Sequence, residues 1–193
     1  MKNLLISGVV AVALAGCASI GKDLPLRSPE EVGRVRNPGT DEEYLLGKGD
    51  EVSLAIYGEP ELSRNYTLGA DGVIDVPLIG RIPATNMSIV ALTKAVEARL
   101  RGDYLRNAAV AGSIVTYRPF YILGEVNRPG EYPYRPNLTL DDAVALAGGY
   151  TYRAQPDWVL IKGERETSDT RVQVAPNLAI RPGDTVRIVE RFF

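Results

Sequence analysis

The chain has 193 residues, 22 basic against 24 acidic side chains, a net charge of −2, one cysteine and no histidine. That balance argues against nucleic acid as a partner, and no dense Lys/Arg block marks a basic patch for an anionic surface. Without histidine the chain lacks the commonest general acid, general base and metal ligand near neutral pH, and one cysteine cannot build a thiolate site, so no metal and no cofactor are expected.

Residues 1–16 read as a cleaved export signal. Lys2 supplies the charged start, and Leu4 to Leu14 form an apolar run too short to cross a bilayer. The run closes on Leu14-Ala15-Gly16-Cys17, which resembles the lipobox of bacterial lipoproteins. In those proteins the cysteine thiol takes a diacylglyceryl group and its freed amino terminus is acylated; a thiolate is the side chain nucleophilic enough for that step. Several acyl chains, at about 0.8 kcal/mol per buried CH₂, anchor stably. Cys17 is therefore the expected lipid-attachment residue and the first residue of the mature chain. The alternative is an ordinary secretory signal cut nearby, which leaves an odd thiol in an oxidising compartment. Ala18 follows where an aspartate would resemble the inner-membrane retention signal, so the resemblance implies an outer-membrane address.

Removing the signal takes away Lys2 and no acid, which leaves 21 basic against 24 acidic residues. The remaining length, roughly 175 residues, fits one domain or two small ones; the motifs favour two. Residues 17–43 carry Pro25, Pro29, Pro38, Gly33 and Gly39 with little hydrophobic periodicity, the pattern of a flexible tether. Folded sequence starts near Tyr44. A turn at Gly47 to Asp50 leads into a strand in which Val52, Leu54 and Ile56 alternate with Ser53, Ala55 and Tyr57. Asn65–Leu68 and Val73–Ile79, separated by Gly69-Ala70-Asp71-Gly72, read as a pair of strands joined by a Gly/Asp turn. From Ser88, an N-cap residue, Leu92, Val96 and Leu100 recur at helical spacing and predict an amphipathic helix of about three turns. Ala111 to Val115 begin another β-prone run that ends at Tyr117.

The second half follows a looser version of the same plan. Phe120–Val126 reads as a strand, Asn127-Arg128-Pro129-Gly130 as a turn with Pro and Gly placed as type II prefers, and Glu131–Tyr134 as the return strand. Thr139 and Asp142 have capping-box spacing, Leu140, Val144 and Leu146 give the helix its apolar anchors, and Gly148-Gly149 end it. Trp158–Ile161, the polar hairpin region Gly163 to Arg171, and Val172 with Val174 follow, before Arg181-Pro182-Gly183-Asp184 introduces a last strand. Gly49-Asp50-Glu51-Val52 and Gly183-Asp184-Thr185-Val186 echo one another as a glycine able to take positive φ and an aspartate able to accept a backbone N–H before a strand.

Taken with the lipobox, three blocks resemble the bacterial polysaccharide export lipoproteins of the Wza type. They are Leu46-Gly-Lys-Gly-Asp-Glu-Val-Ser-Leu-Ala-Ile-Tyr-Gly58, Ala70-Asp-Gly-Val-Ile-Asp-Val-Pro-Leu-Ile-Gly-Arg-Ile82 and Leu123-Gly-Glu-Val-Asn-Arg-Pro-Gly-Glu-Tyr132. The resemblance implies an α+β fold of two small mixed domains: a polysaccharide export domain at 44–118 and a β-grasp domain of the soluble-ligand-binding (SLBB) type at 119–193. It implies a homo-oligomeric ring through which a capsular or exopolysaccharide passes, an inner-membrane polysaccharide co-polymerase as partner, and a lipid-anchored position at the outer membrane facing the periplasm. The sequence departs from the longer members in having no amphipathic helix after Asp184, so it is read as a short member that does not pierce the outer membrane in their manner. The terminal Phe193 is read as an edge or subunit contact.

Two other readings compete. A monomeric β-grasp lipoprotein could bind a soluble saccharide through rings that stack on sugar faces; Tyr121, Tyr132, Tyr134 and Trp158 are the candidate ligand-binding residues, with Tyr117, Tyr150 and Tyr152 near them. The plainer reading of these aromatics is cross-strand packing or subunit contact. A carboxylate-pair hydrolase or lyase would use Asp71 with Asp75 or Asp141 with Asp142, but a turn and a helix cap account for these residues. With no G-x-S-x-G, P-loop or G-x-G-x-x-G, a non-enzymatic role is expected. Arg81, Arg128 and Arg153, near predicted turns, are candidates to face a lumen.

Overall fold

A computed structural model describes residues 21–35, 44–105 and 107–191. The signal segment, Cys17 and Phe193 lie outside the described residues. Two hydrophobic cores divide the chain, one built from residues between Leu46 and Ala108 and one from residues between Phe120 and Ile188.

In the first unit β1 (Glu51–Ile56) is the central strand of a three-stranded antiparallel sheet, flanked by β2 (Arg64–Thr67) and β5 (Val110–Thr116). Its alternation does what the pattern requires: Val52, Leu54 and Ile56 are buried against Leu92, Val96 and Leu100 of α1 (Ile89–Asp103). The Ser88 hydroxyl caps α1 by accepting the Ala91 N–H at 3.2 Å. The helix is longer than the three turns predicted, at 15 residues.

The strand pairing differs from the sequence expectation. The Gly69–Gly72 turn forms, with the Gly72 N–H on Gly69 O, but the segments it joins enter different sheets: β2 pairs with β1, whereas β3 (Val73–Val76) pairs with β4 (Gly80–Pro83) in a separate hairpin. Burial decides the choice, since this pairing sends Ile74, Val76 and Ile82 together into the core. Arg99 of α1 secures the hairpin tip by donating to the carbonyls of Ile79 and Arg81.

The second unit has the β-grasp arrangement. Its mixed sheet runs β7 (Gly130–Tyr132), β6 (Phe120–Gly124), β10 (Thr185–Ile188), β8 (Trp158–Lys162) and β9 (Thr170–Gln173), so the first and last strands lie parallel at the centre. α2 (Leu140–Leu146) covers one face, burying Leu140, Ala143 and Val144 against Phe120, Ile122, Ile161 and Val186. Its reciprocal capping box between Thr139 and Asp142 is present as the spacing predicted. Gly130 departs from the expected type II turn: its φ of 159° is extended, and it already belongs to β7.

Residues 21–35, read from sequence as part of a tether, are instead packed against the second unit. Leu24 joins Trp158, Leu160 and Val189 on the sheet face away from α2. Arg27 then pairs in parallel with Val172, capping the outer edge of β9. Val32 reaches the main core, and Val35 bridges to Leu178. Each contact is made by a single residue, through a side chain or a backbone bridge, on a surface built by distant sequence, which is why no local periodicity announced it.

Gly124 closes the central parallel pair. Its φ is +87°, and a Cβ built there would stand 2.0 Å from the Ile188 carbonyl oxygen. Gly124→Ala is expected to cost at least about 2 kcal/mol of stability, read as a lower urea midpoint, because it adds a left-handed alanine and forces the two central strands apart.

Candidate functional site at the junction of the two units

The two Gly-Asp turns are the same structure made twice. In the first, the Asp50 N–H returns to Gly47 O at 3.2 Å and Asp50 Oδ2 accepts the Gly47 N–H at 2.7 Å; in the second, the Asp184 N–H returns to Arg181 O at 3.1 Å and Asp184 Oδ2 accepts the Arg181 N–H at 2.8 Å. Gly49 and Gly183 occupy the third turn position at φ +87° and +81°, which a type II turn demands. Both aspartates are buried, at 0% and 1% exposure, so each needs a cation.

Each cation comes from outside its own turn. For Asp184 it is Arg34 of the N-terminal segment, whose Nη1 and Nη2 meet the two carboxylate oxygens in a forked pair. For Asp50 it is Arg118, the residue between the units. The Arg118 N–H donates to Asp50 Oδ1 at 2.8 Å, and its Nη1 donates to Asp50 Oδ2 at 3.0 Å and to the Tyr44 hydroxyl at 2.8 Å. On its other side Arg118 Nε stands 3.0 Å from Glu164 Oε2 of the second unit; the N–H is not aligned on that oxygen, so the contact is Coulombic. The Gly183 N–H donates to Pro119 O at 2.9 Å, and Tyr117 stacks edge-on with both Tyr44 and Tyr134, at 4.8 and 5.7 Å.

Between these parts lies a cleft of about 450 Å³, lined by residues of the N-terminal segment and both units, among them Arg34, Tyr44, Asn86, Arg118, Tyr134 and Arg165. Burial, with help from Asp50, holds the Tyr44 phenol far above its ordinary value, so Tyr44 acts as a donor to Asp50 throughout the working pH range. Burial also raises the Asp184 carboxyl, against the opposing pull of Arg34 and the Arg181 N–H.

The four aromatic candidates do not form one platform. Tyr132 lies on the core side, stacked on Phe120 at 6.0 Å, with its hydroxyl donating to Arg128 O. Trp158 is buried, with the Arg171 guanidinium 4.1 Å above its ring. Tyr121 is 39% exposed on the opposite sheet face, where Glu131 raises its pKa. Tyr134 alone reaches the cleft. The other candidates have structural partners: Asp71 with Arg81, Asp142 in the helix cap, Arg128 on Leu146 O and Arg153 with Glu190. Among the described residues there is no cluster of metal-ligating side chains and no helix long and apolar enough to cross a membrane. Sequence reasoning missed Arg34 and Arg118; the signal available was that two buried aspartates each require a partner.

The chain is thus built as two α+β units with paired Gly-Asp turns that meet at one arginine. Residues 38–114 match the model of the polysaccharide biosynthesis/export protein family and residues 119–175 match the SLBB domain; the chain belongs to the polysaccharide export protein family, with one export domain followed by one SLBB domain. It is similar to the exopolysaccharide production protein ExoF of Rhizobium meliloti (strain 1021), 33% identical over 120 residues that cover 56% of this chain and 28% of that relative. The similarity thus spans little more than a quarter of the relative's length.

Two outcomes follow. Arg118→Met is expected to cost about 3–5 kcal/mol in denaturant unfolding, because it leaves Asp50 charged, buried and unpaired. The raised Asp184 pKa makes ionisation unfavourable in the folded state, so its protonation adds stability that is fully present below the unfolded-state value and is lost as pH rises through the folded one. Relative to Asp184→Asn, the wild-type chain is therefore expected to gain stability as pH falls through that raised value toward the ordinary carboxylate range, measured as the difference in urea midpoints.

Proposed function

We propose that this protein is a lipid-anchored component of a machine that exports an exopolysaccharide, working by assembly and conduction and without bond chemistry of its own. The observation that carries the reading is the consecutive match to an export domain and an SLBB domain, and the name of the relative, an exopolysaccharide production protein, agrees with it. On this reading residues 1–16 are the signal, Cys17 carries the lipid, and the domains at 44–118 and 119–193 form a homo-oligomeric ring at the outer membrane. The ring faces the periplasm and meets an inner-membrane polysaccharide co-polymerase.

The junction supports assembly of that kind. A closed ring needs every copy to present the same two surfaces at the same angle, and a chain that pivots between its units would populate open forms. Arg118 ties Asp50 to Glu164, and the Tyr44, Tyr117 and Tyr134 rings run across the same boundary. β5 adds a seven-residue edge strand without charge or proline, in contrast to the β9 edge that Arg27 covers.

Deleting the gene from its bacterium is expected to abolish secreted polysaccharide, assayed as total uronic acid and neutral sugar in the medium. Cys17→Ser is expected to shift the protein from the membrane to the soluble periplasmic fraction. Native electrophoresis of the detergent-extracted protein is expected to give a discrete oligomer; a monomer whose loss leaves secretion unchanged overturns the proposal.

A further inference from the structure

We infer that the junction cleft is a binding site for a short acidic saccharide, held by Asn86 and Arg165 across the boundary between the two units. The ligand class rests on the export reading; the site rests on the wall of the cleft.

At about 450 Å³ the space falls within the size range of small-molecule sites, which favour the boundary between domains. Most polar groups on its wall are committed to the protein. Arg34 is forked on Asp184, Arg118 is shared among Asp50, Tyr44 and Glu164, Arg181 donates to Gly33 O at 2.6 Å, and Glu166 accepts the Gly163 N–H at 3.0 Å. Two polar side chains on the wall have no hydrogen bond or ion pair with any described residue: Asn86, from the first unit, and Arg165, from the second.

Asn86 is presented from a fixed backbone. It sits in the left-handed region at φ 66°, and its N–H donates to Leu46 O at 2.9 Å. Its amide offers two donors and an acceptor, which suits vicinal hydroxyls. Arg165 stands between Glu164 and Glu166, and each of those carboxylates is engaged elsewhere, by Arg118 and by the Gly163 N–H. It is therefore the cation of this wall without a partner among the described residues, and its planar fork matches a carboxylate, sulfate or phosphate substituent. Tyr44 and Tyr134 contribute aromatic surface to the same wall, where a sugar's C–H face can lie. A uronic acid unit combines all three features. Affinity should be weak, since a polymer in transit has to leave each site that it enters.

The test is calorimetric titration of the full chain in detergent with a hyaluronan tetrasaccharide, cellotetraose and inorganic sulfate. The uronate-bearing tetrasaccharide is expected to bind saturably, at least about tenfold more tightly than cellotetraose, and to weaken as salt is raised. Arg165→Glu and Asn86→Gly, both at exposed positions and the glycine able to keep the left-handed backbone, are expected to weaken it by about tenfold each without lowering the melting temperature. Tyr121→Ala, on the outer sheet face, is expected to leave affinity unchanged. The inference is overturned if the acidic and neutral tetrasaccharides bind alike, if sulfate alone competes as well as the saccharide, if Arg165→Glu and Asn86→Gly leave binding intact, or if nothing binds. These results separate from the export reading: a chain required for secretion that binds no acidic saccharide removes the cleft site alone, and a chain that binds one yet is dispensable for secretion removes the export role alone.

Discussion

A buried carboxylate must find a cation, and that requirement organises the molecule. Asp50 and Asp184 hold their turns through backbone N–H groups, which forces both carboxylates inside. Once there, each is tolerable only with an arginine against it. Because neither arginine is local, satisfying the first aspartate fixes the chain between the units and satisfying the second fixes the N-terminal segment. Two local turn motifs thereby become two long-range constraints.

Arg118 shows how compactly this works. Its backbone N–H and guanidinium grip Asp50, the guanidinium also takes the Tyr44 hydroxyl, and the far side of the group meets Glu164. A Cβ at Gly47 would stand 2.3 Å from Arg118 Nη1, so the glycine opening the first turn also makes room for the arginine. The cleft follows from the same arrangement: the residues held at the boundary leave a space of about 450 Å³ between the N-terminal segment and the two units.

The N-terminal segment extends this logic along the second unit. Residues 21–35 run from the outer sheet face, around the β9 edge, to Asp184. Edge capping by Arg27 removes one open strand from the surface, while β5 of the first unit keeps its outer edge. The two units therefore differ in which surfaces they leave for association, although both follow the order of hairpin and then capped helix.

Where the physics was local the sequence was a good guide, the expected type II turn at Asn127–Gly130 excepted. The period of Val52, Leu54 and Ile56, the helical spacing of Leu92, Val96 and Leu100, the Thr139–Asp142 cap and the two Gly-Asp turns each depend on neighbours within a few residues, and each is found in the structure. Three things had no local signature. The pairing of β3 with β4 in place of β2 was settled by shared burial of Ile74, Val76 and Ile82; the packing of residues 21–35 and the role of Arg118 depend on charges and apolar side chains brought together from distant parts of the chain. The scatter of Tyr121, Tyr132, Tyr134 and Trp158 has the same origin, because which face an aromatic side chain serves depends on the strand register. Composition, periodicity and turn chemistry thus determined the elements and their order, whereas the junction and its cleft arose only in the fold, where desolvation makes a distant opposite charge indispensable.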